Sequence, residues 1–120
     1  MNYEEQKQYD NLSECDKSYY KKIKLDHPNW NHRQIMVKVA FNHKEDDIIE
    51  RAGNDIDPED SEILNEIFQG VKNFLKRVGV IMQNVFNALD KLIDLVKKGK
   101  AIYNALSEIW DWLTAVSYTH

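Results

Sequence analysis

The feature that most limits how this chain can fold is one apolar arc running from Ile63 to Val116. With Leu64 at heptad position a, that position carries Leu64, Val71, Val78, Val85 and Leu92, then Gly99, Leu106 and Leu113. Position d carries Ile67, Phe74, Ile81, Ala88, Leu95, Ile102, Ile109 and Val116, and position e carries Phe68, Leu75, Met82, Leu89, Val96, Tyr103 and Trp110. Positions a, d and e are neighbours on a helical wheel, so the pattern specifies amphipathic α-helix. The arc is wider than the a/d seam of a two-stranded coiled coil, and Phe86 and Ile93 at position b widen it further. That width suits a helix packed inside a bundle with the N-terminal helices covering it. Any uncovered part of 63–116 would have to meet another copy of the chain or a different partner.

The boundaries of this region follow from local chemistry. Asp57 can cap a helix, Pro58 suits its first position, and Glu59 and Asp60 favour its first turn. A helix over about 58–98 would be roughly 60 Å long. Gly79 could divide it, but its neighbours Val78, Val80 and Ile81 are not turn formers and offer no N-cap. The expectation is therefore a helix that passes through Gly79, unbroken or kinked. Gly99 follows Lys97 and Lys98, as a C-cap would, which predicts a tight hairpin and a last helix over about 101–116. The heptad phase nevertheless continues through Gly99, as it would in one very long helix forming an intermolecular coiled coil.

The N-terminal half reads as shorter helices. Residues 1–12 are polar, with Tyr3, Tyr9 and Leu12 as anchors, and predict a short or frayed helix. Ser13 with Asp16 signals a helix start, and Cys15, Tyr19 and Ile23 fall on one face of a helix over 14–26 that Pro28 ends. Asn31 with Gln34 is a capping-box pattern opening a helix whose Ile35, Met36, Val39 and Ala40 face inward. Trp30 stands where a hydrophobic staple would. That helix either restarts at Asn42 or continues through Ile48 and Ile49, and Gly53-Asn54 terminates it. Together these readings predict a single all-α domain over 1–120, with short helices in 1–54 packed on the long helix and the C-terminal helix of 58–116.

Charge and composition narrow the function classes. The chain is 42% hydrophobic and 30% charged, the profile of a folded globular domain, with a net charge of −4 that argues against a general nucleic-acid binder. Residues 1–60 carry a net −5 and residues 61–120 a net +1, so a partner of the first half is expected to be neutral or basic. The acidic clusters Glu45-Asp46-Asp47 and Asp55 to Asp60 read as helix N-terminal acids. Cys15 is the single cysteine, the N-terminal residues have no apolar run, and the longest uncharged run, Val78–Leu89, falls well short of the roughly 20 residues that span a bilayer. These features predict a cytoplasmic protein.

Catalytic and metal chemistry find little support. His27, His32, His43 and His120 form no His-x₃-His pair, and His43 with Asp46 or Asp47 is half a metal site. Cys15 on the inferred apolar face reads as a buried thiol, and no nucleophile elbow or glycine-rich phosphate loop is present. The expectation is a non-enzyme with no cofactor, no metal and no small-molecule substrate. A nucleic-acid reading would draw 14–52 as helix–turn–helix with His32, Arg33, Lys38 and Lys44 on the second element, but the loop at Pro28 is long for that motif. A membrane-active reading would use the amphipathic turns of Phe74–Trp112, yet its polar face carries Asp90, Asp94, Glu108 and Asp111 as well as lysines.

The leading expectation is a protein–protein interaction module: an adaptor, an assembly subunit or a small inhibitor of a larger complex. Large aromatics in excess of core needs are enriched at binding surfaces, which makes Trp112, Trp30, Tyr118 and Tyr20 the candidate contact residues. Small acidic helical proteins encoded by phages and mobile elements share this size and composition, and no residue motif ties the chain to one of them.

Overall fold

Three polar side chains fix where the N-terminal helices begin. Asn2, Ser13 and Asn31 each accept a hydrogen bond from the backbone N–H three residues on, at Glu5, Asp16 and Gln34. Glu5 and Gln34 reach back to the cap backbone, so Asn2 and Asn31 both head complete capping boxes. These caps open α1 (Tyr3–Asp10), α2 (Glu14–Asp26) and α3 (His32–Ala52). α3 runs straight through Asn42, and Gly53 at φ 80 ends it by donating to the Ile49 carbonyl over 2.7 Å. The computed structural model describes residues 1–53, 61–81 and 83–97. Its two further helices are α4 (Ser61–Val78) and α5 (Gln83–Lys97), and the described residues contain no strand.

The protein is thus an all-α bundle in which α3 packs against both α2 and α4, and α4 against α5. Within the described part of the apolar arc, α3 packs on α4, and the buried apolar residues of α4 and α5 share its core. Phe68, Val71, Phe74, Leu75 and Val78 of α4 join Val85, Phe86, Leu89 and Ile93 of α5 in one core. From α3 that core takes Ile35, Met36, Val37, Val39, Ala40 and Phe41. Lys72 Nζ lies 2.7 Å from Asp90 Oδ1 and ties α4 to α5 at the surface. Gly70 has a packing role: a Cβ there would lie 2.4 Å from Cδ of Lys44, whose stem crosses the α4 backbone at this point.

The helix expected over 58–98 is broken at Gly79, and the reason lies in the backbone. Gly79 adopts φ +92, Gly79 N–H donates to the Lys76 carbonyl (3.2 Å), and Val80 N–H donates to the Leu75 carbonyl (2.8 Å). These are the two bonds of a Schellman motif, and the positions where that motif carries its apolar pair are Val80 and Leu75, both buried in the one core. Polar turn residues are not needed, because a C-terminal stop requires only a glycine and one apolar residue after it. The described body measures 41 × 33 × 25 Å, too short for a helix of the expected length. The boundary at Asp57-Pro58, the stop at Gly99 and the last helix over 101–116 lie outside the described residues.

Two further expectations change. Cys15 is exposed rather than buried, because α2 buries Asp16, Tyr20 and Ile23, while Tyr19 packs against the core half-buried. Glu45, Asp46 and Asp47 sit well inside α3 rather than at a helix N-terminus. Asp46 accepts from the Tyr19 hydroxyl, and Asp47 pairs with Lys44 and Arg51, each at 3.3 Å. Arg51 in turn bonds Glu66, carrying the charge network across to α4.

Candidate functional site

The interior of the N-terminal half holds polar groups, and their bonding decides what they can do. The largest arrangement is a hydrogen-bond relay through four elements. Tyr20 Oη of α2 lies 2.9 Å from Nδ1 of His32, and Nε2 of His32 lies 2.8 Å from Oε1 of Gln8 on α1. Gln8 Nε2 then donates to the Gly79 carbonyl at the α4–α5 turn over 3.1 Å. The direction of each bond follows from its ends. Gly79 offers only an acceptor, so the Gln8 amide nitrogen faces it and the amide oxygen faces His32. The His32 Nε2 must therefore carry the proton, and the Tyr20 hydroxyl donates to Nδ1. Burial pushes the His32 pKa below its ordinary value against the pull of Glu5. It also pushes the Tyr20 phenol up to about 12. Both groups are neutral near pH 7.

A second cluster joins α2 to α3. The carboxylate of Asp16, only 5% exposed, has both oxygens 3.3 Å from Nδ1 of His43. The His43 ring rests on Phe74, with centroids 4.8 Å apart. Beside it the hydrogen bond to Asp46 raises the Tyr19 hydroxyl to about 12. An imidazole oriented by a carboxylate is one part of a general base. Among the described residues, however, no hydroxyl or thiol is hydrogen-bonded to His43, and no group of three His, Cys, Asp or Glu side chains could hold a metal ion. The cluster fastens α2 onto α3.

Of the aromatic contact residues expected from sequence, the structure separates two. Tyr20 is 3% exposed, edge-on to Tyr9 at 5.0 Å and bonded to His32, so it belongs to the interior and presents no surface. Trp30 is half-buried, packed against the core and stacked on the exposed His27 ring at 3.8 Å. Trp112 and Tyr118 lie outside the described residues. His32, drawn above on a recognition helix, is buried, and Arg33 beside it is exposed.

The surface carries a residue that the periodicity did not single out. Ile81, at heptad position d, is 74% exposed immediately after the Schellman turn. Leu25 near the end of α2 is 81% exposed. The signal for Ile81 was available: it follows the glycine by two residues, where a terminated helix no longer directs its side chain into the core. No described helix is long and apolar enough to cross a membrane. No family model, curated protein or solved structure matches the chain.

Proposed function

We propose that the chain is a protein-interaction module that acts by occupying a surface of a larger assembly, as an adaptor or small inhibitor does. The observation that carries this reading is the setting of Ile81. A large apolar side chain stands exposed on a turn that is held from both sides. The Schellman bonds hold Gly79 and Val80 from within α4, and the Gln8 amide holds the Gly79 carbonyl two residues before Ile81. An apolar side chain carried next to a backbone that is already held costs less ordering when a partner buries it, which favours it as a contact residue. The buried polar groups also support the reading. Tyr20, His32, Gln34 and Asp16 are each engaged in a helix cap or an inter-helix bond.

The test is affinity capture from host lysate with the wild-type chain and with Ile81→Asp, each with and without nuclease, read by mass spectrometry. A stoichiometric protein partner that survives nuclease and is lost with Ile81→Asp is the expected result. Sedimentation of the purified chain distinguishes a second copy from a different protein. A partner that leaves on nuclease treatment, or one retained at full level by Ile81→Asp, would defeat the proposal.

A further inference from the structure

We propose that α1 is a proton-operated latch: uptake of one proton by the His32 imidazole favours a state in which residues 3–10 have lifted away from the helical body. The geometry of the closed relay carries the inference. Each link from Tyr20 to His32 to Gln8 to Gly79 uses one hydrogen, and Nδ1 is the one ring nitrogen of His32 left without a proton. A second proton on the ring must sit on Nδ1, facing the Tyr20 oxygen 2.9 Å away. The Tyr20 hydroxyl would then have to turn its own hydrogen elsewhere. It is buried, and among the described residues no second acceptor contacts it. The new positive charge would also be held out of water.

Lifting α1 relieves both penalties. Gln8 leaves with the helix, the Nε2 edge of the ring meets solvent, and the imidazolium is hydrated. α1 is suited to this because none of its own residues is buried. It is held through Gln8 to His32 and Gly79 and through the Tyr9 ring on Tyr20. The groups around the ring are of both signs. Glu5 of α1 favours the cation, whereas the N-terminal ammonium, Arg33 of α3 and Lys24 of α2 oppose it. The α4–α5 turn contributes, through Gln8, the uncharged Gly79 carbonyl. The net result in the closed state is a ring held neutral below its ordinary range, with burial as the leading cause. In the open state the ring returns to an ordinary value of about 6.5. One-proton linkage then requires the opening constant of α1 to rise as pH falls below that value, approaching tenfold per pH unit. Opening uncovers Tyr20 and frees the Gly79 carbonyl. The latch does not depend on the interaction reading above.

The test is amide hydrogen exchange by NMR on the full chain between pH 7.5 and 4.5, corrected for the intrinsic exchange chemistry, with the His32 ring nitrogen shifts followed on the same sample. The expected result is an opening constant for amides 7–11 that climbs towards tenfold per pH unit below about 6.5. It should level off at the His32 midpoint while amides of α3 and α4 keep their protection. His32→Gln, which can face Gln8 without titrating, should flatten the response. Glu5→Gln, which keeps the Asn2 capping box without a carboxylate, should leave it in place. α1 protection that stays constant across the His32 titration would overturn the proposal. So would a response that disappears in Glu5→Gln, since that would place the effect on the helix cap.

Discussion

Replacing Gly79 with alanine distinguishes a broken helix from a continuous one by the sign of the stability change. In the structure Gly79 has φ +92, and a Cβ placed on it meets only Cγ of Gln8 at 3.9 Å, an ordinary contact. The substitution therefore carries no packing penalty and acts through the backbone alone. Holding an L-residue in the left-handed region costs about 1–2 kcal/mol. If the helix instead ran through position 79, the same change would remove a glycine from a helix interior and stabilise the fold by about 1 kcal/mol. The two architectures thus differ by about 2–3 kcal/mol on one methyl group. Urea unfolding followed by circular dichroism resolves this, because with a slope of about 2 kcal/mol per molar the expected loss moves the midpoint down by about 0.5–1 M. Gly79→Asn should lose less, since asparagine tolerates left-handed backbone better than alanine. A midpoint that rises in Gly79→Ala would refute the Schellman assignment and restore the single helix over 58–98.

Other perturbations address the core and its polar groups. Leu75 and Leu89 are fully buried on α4 and α5, so Leu75→Asp and Leu89→Asp should each cost more than about 4 kcal/mol and leave little native ellipticity; a folded variant of either would show that the arc is not the core. Asp16→Ala removes a buried carboxylate from His43 and should cost about 1–3 kcal/mol by urea unfolding, below the full cost of a broken buried pair because His43 keeps partial access to water. A change under 0.5 kcal/mol would mean the pair does not fasten α2 to α3. Stability should also depend on pH through His32. Its folded-state pKa is lowered by burial, so between that value and the ordinary one the unfolded chain binds more protons. The contribution is complete above about 6.5 and is lost as pH falls towards the folded value. Wild type should therefore lose more stability from pH 7.5 to 5.5 than His32→Gln does, and an equal loss in the two would remove His32 from the pH dependence.

How much of this was legible in the chain depended on whether the deciding interaction was local. The caps at Ser13 and Asn31, the stop of α3 at Gly53 and the helical arc as far as Lys97 all rest on residues within one or two turns of each other, whereas the sequence left open whether α3 restarts at Asn42. The inward face of α2 was not local. Two ladders share Ile23: Cys15 and Tyr19 precede it on one, Asp16 and Tyr20 on the other. Apolarity favours the first. The structure takes the second, because Asp16 and Tyr20 find their partners on α3 at His43 and His32. Those partners meet only once α2 and α3 lie antiparallel, with the later residue on one facing the earlier residue on the other. The relay to Gln8 and Gly79 is more remote still, spanning 71 residues in its last bond. The capping box at Asn2 was missed for another reason: the polar residues around it gave no apolar period to start from.

The position of Ile81 decides whether the apolar arc serves anything beyond the core. Termination of α4 needs glycine at 79 and an apolar side chain at 80, and Val80 supplies the latter while buried. It needs nothing from the side chain at 81, which would be satisfied by serine as well as by isoleucine. Ile81→Ser should then leave stability within about 0.5 kcal/mol of wild type, the range of surface substitutions that touch no special feature. The same change should weaken capture of a partner through this turn, since it removes the apolar area that a partner would bury. That combination, a silent effect on unfolding with a loss of binding, is the signature of a residue retained for contact rather than for folding. A loss of 2 kcal/mol or more in urea unfolding would instead place Ile81 against the chain itself, and the turn would have no claim to be the contact surface.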